Sequence, residues 1–578
     1  MRVLRFYASL LTYLAVLVFA APARAQLSAR IAPADILILR AKVYTLNPEI
    51  PWAQAVAIRH GKIVAVGTEE VVGKMRGIGT RLIDAGGKLV LPGFTDCHVH
   101  FYEGSLALQR VNIDRVSLDD LTTLDQIKDA LRRFAAANPD NSWILGRGWN
   151  YTLFGEAALP NREFLDELFP NRPVLLESYD SHTYWANSKA LSLAGIGKNT
   201  PDPRNGYIVH DPQSGEPTGA LKETAGQLVT KITPKIEEVD KFRALRAGIK
   251  WANKNGITRV HSAGGDFEIL PLLDQLRTDK QLTVRFNVSY RLDAYELRKQ
   301  DWETIESARK KYHDDWINAN AVKLVLDGVI ETHTAALIDP YSDQPDTKGH
   351  LFWDLQKYQD AVIELDKHGL QLFTHTVGDL AARTALDTFE LAEKKNHNKD
   401  HRHRIEHIET IAATDIPRFG KLGVIASMQP LHSYPDADTL DFWARDIGPD
   451  RASRAWAWKS IANDGGRLAF GSDWPIVTLN PWEGIQTAVT RQTEDGKPAG
   501  GFVPSQRLTV ARAVEAYTLV AAFAGHREKT EGTIEVGKVA DIIMLDRNIF
   551  EIDPQNIGKA KVVITIVGGK IVYEAETK

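Results

Sequence analysis

The sequence predicts an α/β fold: a (β/α)8 barrel carrying a small composite β-sandwich formed from both ends of the chain. Three observations lead there. Eight short apolar runs recur through the middle of the chain, separated by helix-like stretches. Short β-rich segments of one style stand at both ends. Polar residues gather at the C-terminal ends of the apolar runs. The chain has 578 residues, 44% hydrophobic and 25% charged, enough for one large barrel with additions or for two or three domains.

The eight runs are 93–100, 257–263, 283–290, 321–327, 371–376, 403–408, 424–429 and 468–473. Stretches 240–255, 355–368, 380–395 and 451–464 read as helices between them. Repeated strand-then-helix units imply a parallel sheet, and eight of them suit a closed barrel of the TIM type. An open doubly wound sheet is the alternative, but no glycine-rich dinucleotide fingerprint follows any run.

Near the start, 35–39, 42–46 and 55–58 are β-rich, and Arg59-His60-Gly61-Lys62 turns into 63–67. Near the end, 540–545, 562–567 and 571–573 repeat the style, with Gly568-Gly569-Lys570 as a turn. Each half is too small for its own core, so one sandwich built from 26–90 and 530–578 is expected. The barrel, 91–529, is then inserted between its halves. Within it, the connection from about 101 to 256 is far too long for a loop and reads as a lid or substrate platform.

Residues 1–25 read as a secretory signal peptide. Arg2 and Arg5 precede the apolar stretch 10–21, and Ala23-Arg24-Ala25 offers a small-x-small cleavage site before Gln26. The alternative is an uncleaved anchor, but the apolar core is shorter than a spanning helix needs. The mature protein is expected to be exported, to the bacterial periplasm or beyond, with no stable membrane association. A net charge of −4 gives no footprint for nucleic acid or an acidic membrane surface. An exposed sandwich edge or barrel helix would suit a homodimer. The single cysteine, Cys97, excludes an internal disulfide, so stability rests on a large core.

Asp96-Cys97-His98-Val99-His100 carries the first chemical signal. Alternation along a strand points His98 and His100 the same way, into one cavity, where two imidazoles can hold a metal. Cys97 then points away and reads as a small buried hydrophobe. Other run ends supply partners: Lys323, His375, His407 and Asp473. Each has a plainer reading on its own. His375 or His407 suits a satisfied core histidine, and Asp473 suits a helix cap before Trp474-Pro475. Lys323 is either an edge lysine or an amine carboxylated by carbon dioxide, since a charged amine in an apolar strand is costly. Together, at successive strand ends, they point to one metal centre.

The run Pro92-Gly93-Phe94-Thr95-Asp96-Cys97-His98-Val99-His100 resembles the signature of the metal-dependent amidohydrolase superfamily. Several other stretches are similar to its amidohydrolase-3 (YtcJ-like) branch. They are 322–328 with Lys323 and Asp327, 374–379 with His375, 403–407 with Glu406 and His407, and 471–475 with Asp473, besides Asp180-Ser181-His182 and 185–191 in the insert. The resemblance implies a hydrolase with one or two divalent metals, zinc foremost. It places the more buried metal on His98, His100 and Asp473, and a carbamylated Lys323 bridging to a second on His375 and His407. It further implies a metal-activated hydroxide attacking a non-peptide carbon–nitrogen bond, as in an N-acyl compound, a formamide or a cyclic amide. Asp473 is the expected proton carrier. An esterase or other hydrolase on the same site, and an inactive binding barrel, are the competing readings. One departure stands out: Glu331 and His333 replace part of an expected small-residue stretch, which assigns both to the substrate pocket. Tyr102, Trp149, Asp180, His182, Gln429 and Trp474 complete the expected substrate contacts.

Overall fold

The computed structural model describes residues 32–108, 111–112, 123–157, 159–292 and 295–576. The proposed signal peptide, 1–25, lies outside them.

Eight parallel strands pair in chain order: β1 (Phe94–Val99), β2 (Ile257–Ser262), β3 (Arg285–Arg291), β4 (Ile317–Val325), β5 (Gln371–Thr376), β6 (Arg404–His407), β7 (Ile425–Met428) and β8 (Arg467–Phe470). Six of them are buried at nearly every position, the mark of strands covered on both faces and the reason they read as unbroken apolar runs. The circle closes just beyond β8. The Asp473 N–H donates to the His98 carbonyl (2.7 Å), and the His100 N–H donates to the Trp474 carbonyl (2.8 Å). Glycine is required there, because a Cβ on Gly471 would stand 2.4 Å from the His98 backbone nitrogen. The barrel thus closes through the residues singled out as metal ligands.

The expected helices form at Glu238–Lys254, Leu355–Lys367 and Asp379–Asn396. The single helix expected over 451–464 is instead two, Ala444–Ala452 and Trp458–Asn463. Trp456 lies in the left-handed region between them (φ 46°), and its amide donates to the Glu409 carbonyl (3.0 Å). Stacking of Trp456 on Trp443, with centroids 4.3 Å apart, fixes that break.

Strands from the two ends of the chain meet in one sheet. Leu89–Pro92 pairs antiparallel with Ile542–Leu545, and Lys42–Tyr44, Trp52–Ala53, Val562–Val567 and Lys570–Glu574 complete six strands. A four-stranded sheet of Ile36–Leu39, Ala55–Arg59, Lys62–Gly67 and Arg81–Asp84 shares its apolar cluster, with Ile36, Val56 and Ile83 against Val43, Ile542 and Ile566. Leu89–Pro92 runs through Gly93 directly into β1, so this unit anchors the strand that carries His98.

The insert after β1 folds around its own sheet of Val111–Asn112, Ile144–Trp149, Val174–Ser178, Thr183–Ala186, Gly206–His210 and Pro217–Glu223. Its helix Leu124–Ala137 starts at a capping box between Thr123 and Gln126 and buries Ile127 and Leu131, four residues apart on one face. A cavity of about 1470 Å³ lies between this insert and the C-terminal ends of the barrel strands.

Candidate metal centre

The centre is built on β1. Val99 points into the wall and His98 and His100 into the barrel mouth, as alternation requires. His98 is fully buried, and His100 is about one-fifth exposed. Their Nε2 atoms lie 3.2 and 3.1 Å from Asp473 Oδ1. Two ligand atoms on a tetrahedral zinc are separated by about 3.4 Å, so this spacing suits a shared cation.

A second group faces the same carboxylate. His432 Nε2 lies 3.4 Å and His407 Nδ1 3.9 Å from Asp473 Oδ2. The His407 and His432 rings stack, with centroids 5.6 Å apart. His98, His100 and Asp473 thus form one set able to hold a metal, and His407, His432 and Asp473 a second. His375 stands beside the second set, its ring 4.5 Å from His407, while its Nε2 faces the Gly328 carbonyl at 3.2 Å. Lys323 completes the cluster, with Nζ 3.3 Å from His98 Nε2.

The donor set fits a divalent cation. Asp473 Oδ1 and His432 Nε2 are buried without a well-aligned hydrogen-bond partner. Buried polar atoms left this way are costly unless an ion or water completes them. Histidine nitrogens with one carboxylate are the usual donors for zinc.

Backbone strain aims two of these side chains. His407 (φ 72°) and Asp473 (φ 63°) both take the left-handed conformation, which costs a non-glycine residue about 1 kcal/mol. On β6, alternation sends Glu406 inward to His98. Only the left-handed turn at its last residue lets His407 face the same cavity.

Electrostatics divide the cluster into charge states. Burial works against ionisation of Asp473, but His98 and His100 outweigh it and hold the carboxyl well below the usual range. Burial pushes Lys323 down to about 8, against the pull of Glu406 and Asp473. Burial also drives His375 and His407 well below the usual imidazole value, which keeps both neutral as ligands must be. His182 behaves oppositely: Glu223, 2.9 Å from its Nδ1, overcomes burial and raises it to about 9.

A buried scaffold orients His98. Its Nδ1 lies 2.6 Å from Glu406 Oε2, and Arg404 Nε donates to Glu406 Oε1 (2.9 Å). Arg404 also donates to His261 Nδ1 and to the Cys97 carbonyl, both at 2.7 Å. Strands β1, β2 and β6 are thereby locked together. Cys97 itself is buried in an apolar cluster with Ile425 and Ala469, as expected of a small hydrophobe.

The expected substrate contacts separate into two groups. Asp180, His182, Glu331 and Trp474 line the cavity. Tyr102, Trp149, Gln429 and His333 do not. Tyr102 packs into the barrel core beneath Lys241. Trp149 is fully buried in the core of the insert and donates to the Leu176 carbonyl (3.1 Å). Gln429 is fully buried at the end of β7. His333, in the left-handed region, pairs with Asp343 (2.9 Å) and packs on Tyr341. Beside the metal centre, sequence reasoning missed His432 and Glu409, which both line the cavity. Glu409 accepts from Trp443 Nε1 (2.7 Å) and lies 3.4 Å from His432 Nδ1. The spacing Gln429-Pro430-Leu431-His432 beyond the seventh run was the available signal.

A parallel eight-stranded barrel whose strand ends converge on histidines and a shared aspartate defines a metal-dependent hydrolase. The chain belongs to the amidohydrolase family, whose sequence profile matches residues 81–573. It is 33% identical over 557 residues to Protein LONG AFTER FAR-RED 3 of Arabidopsis thaliana, covering 93% of this chain and 92% of that one. It is 32% identical over 540 residues to the Putative amidohydrolase YtcJ of Bacillus subtilis, covering 92% and 98%. It is 29% identical over 551 residues to the N-substituted formamide deformylase of Arthrobacter pascens, covering 93% and 98%.

Proposed function

We propose that the protein is an exported hydrolase that cleaves a non-peptide carbon–nitrogen bond in a small molecule, such as a formamide, an N-acyl amine or a cyclic amide. The observation that carries this reading is Asp473, an anionic carboxylate shared between the His98–His100 pair and the His407–His432 pair. The likeness to a formamide deformylase over nearly the whole of both chains supports the bond type. A divalent cation, zinc in our reading, held by these residues would acidify water and polarise the carbonyl.

The protein's own groups handle the proton and the substrate. Asp473 accepts the proton from the attacking water and passes it to the leaving nitrogen. His182, cationic beside Glu223, faces the cavity with its ring 5.9 Å from His375 and donates to the substrate carbonyl oxygen. Lys323, desolvated and down to about 8, presents far more of the neutral amine that reacts with carbon dioxide than an ordinary lysine does, which supports its carboxylation to a bridging anion. Export rests on the basic start, apolar stretch and small-x-small site of residues 1–25. No helix among the described residues is long and apolar enough to cross a membrane.

The deciding experiment is a hydrolysis panel on purified, metal-analysed protein: N-formyl and N-acetyl amines and cyclic amides against esters of matched size. Release of amine from the amides supports the proposal. Turnover of esters alone, or of neither class at full metal content, overturns it.

A further inference from the structure

His333 takes no part in the chemistry above, yet it belongs to another cluster of metal-ligating side chains. One ligand atom from each of His333, Asp343 and Asp446 lies within 4.8 Å of the other two. His333 Nε2 is 2.9 Å from Asp343 Oδ2. Little water reaches the cluster: Asp446 is 2% exposed, and the side chains of His333 and Asp343 are 16% and 19% exposed. Tyr341 packs on the His333 ring, with centroids 4.7 Å apart, and holds its plane. Two sheltered carboxylates this close repel each other unless a positive charge stands between them. Arg445 supplies part of it from outside, through Nε and Nη2 to Asp446 Oδ1 (2.8 and 2.7 Å), but its own side chain is 54% exposed. Both contacts fall on Oδ1 and leave Oδ2 as a donor.

The three residues come from two loops at the barrel mouth. His333 and Asp343 lie in the connection after β4, which also carries Val329, Glu331 and Phe352 of the cavity wall. Asp446 follows β7, beyond His432, Tyr434 and Trp443 of the same wall. Main-chain contacts already dock the two loops. The Ser342 N–H donates to the Asp446 carbonyl (2.7 Å), and Arg451 donates to the carbonyls of Asp339 (2.8 Å) and Pro340 (2.6 Å). A Cβ on Gly448 would stand 2.1 Å from Ser342 Oγ, so only glycine permits this approach.

We propose that His333, Asp343 and Asp446 bind a divalent transition-metal ion, zinc foremost, which staples the loop after β4 to the loop after β7 and is separate from the metal centre at Asp473. The donor set decides the metal. An imidazole nitrogen with two carboxylate oxygens suits zinc, whereas calcium and magnesium take oxygen ligands. Ligand atoms on a tetrahedral zinc stand about 3.4 Å apart, so the His333–Asp343 pair opens by about 0.5 Å around the ion, with water in the fourth position.

The site is independent of the reaction class, so its test needs no turnover. Metal-stripped wild type, Asp343→Asn and His333→Gln are equilibrated at one buffered free zinc concentration, and bound zinc is measured by plasma mass spectrometry. Wild type is expected to hold one zinc per chain more than either variant. Zinc should also raise the melting temperature of wild type further than that of the variants, because an ion that binds only the folded chain stabilises it. Equal zinc in the three proteins overturns the inference. Loss of every zinc in both variants also overturns it, since the triad would then support the metal centre and hold no ion of its own. A second measurement uses wild type alone and so does not depend on how the variants fold. Zinc is expected to shield His333 from diethyl pyrocarbonate, mapped by peptide mass spectrometry. Modification of His333 that zinc leaves unchanged overturns the inference.

Discussion

His98 Nδ1 sits 2.6 Å from Glu406 Oε2, both side chains fully buried. With a cation held at Nε2, the ring proton would sit on Nδ1 and be donated to Glu406, leaving the Nε2 lone pair to face Asp473 and the cation. Arg404 and His98 outweigh burial and hold Glu406 down to about 2, so the carboxylate is anionic at every working pH. Partners of this kind raise the basicity of a ligating histidine.

Glu406→Gln keeps the shape and removes the charge. Metal affinity is expected to fall about 10- to 100-fold, read by titration against a competing chelator. Affinity unchanged within twofold would show that Glu406 merely neutralises Arg404.

Asp473→Asn tests the proton carrier. The amide keeps one oxygen toward His98 and His100 but cannot take a proton. Turnover on the best substrate from the hydrolysis panel is expected to fall about 10²- to 10⁴-fold while bound metal persists. A fully active variant would remove Asp473 from that role.

Lys323→Ala tests the bridge. The variant is expected to hold at most half the metal of the wild type. Added bicarbonate should raise the metal content of carbon dioxide-depleted wild type and leave the variant unchanged. Equal metal in both proteins, with or without bicarbonate, would make Lys323 an ordinary buried amine near His98.

What the sequence reveals and what it hides follow from the range of each interaction. The barrel strands are legible because burial on both faces makes them apolar runs of the right length. His98 and His100 are legible because strand alternation is local. The Arg404–Glu406–His98 chain crosses the barrel between residues about 300 positions apart, and no local pattern encodes that contact. His407 faces the cavity through a left-handed φ that periodicity cannot foresee. His432 sits in the short turn Pro430–Ser433, which has no period to read. Trp149 misleads for a related reason: an aromatic residue in the insert suits a pocket or a core equally, and only the packing of Trp185 and Phe154 against it shows which.

A final prediction concerns stability outside the metal centre. His401, 6% exposed, stacks on His403 with centroids 4.3 Å apart, and its Nδ1 accepts from the His403 amide (3.1 Å). Burial, and then the neighbouring His403, lowers it to about 4. An unfolded histidine titrates near 6.5, so the unfolded chain takes up the proton first as pH falls. The contribution is therefore fully present above about pH 6.5 and is lost progressively as pH falls toward about 4. By about pH 5 the loss reaches about 2 kcal/mol. His401→Asn retains an acceptor for the His403 amide but does not titrate. Urea unfolding of the metal-free proteins at about pH 7.5 and pH 5 should show wild type losing about 2 kcal/mol more than the variant. Parallel losses in the two proteins would assign the acid sensitivity to other buried groups, with His261 beside Arg404 the next to examine.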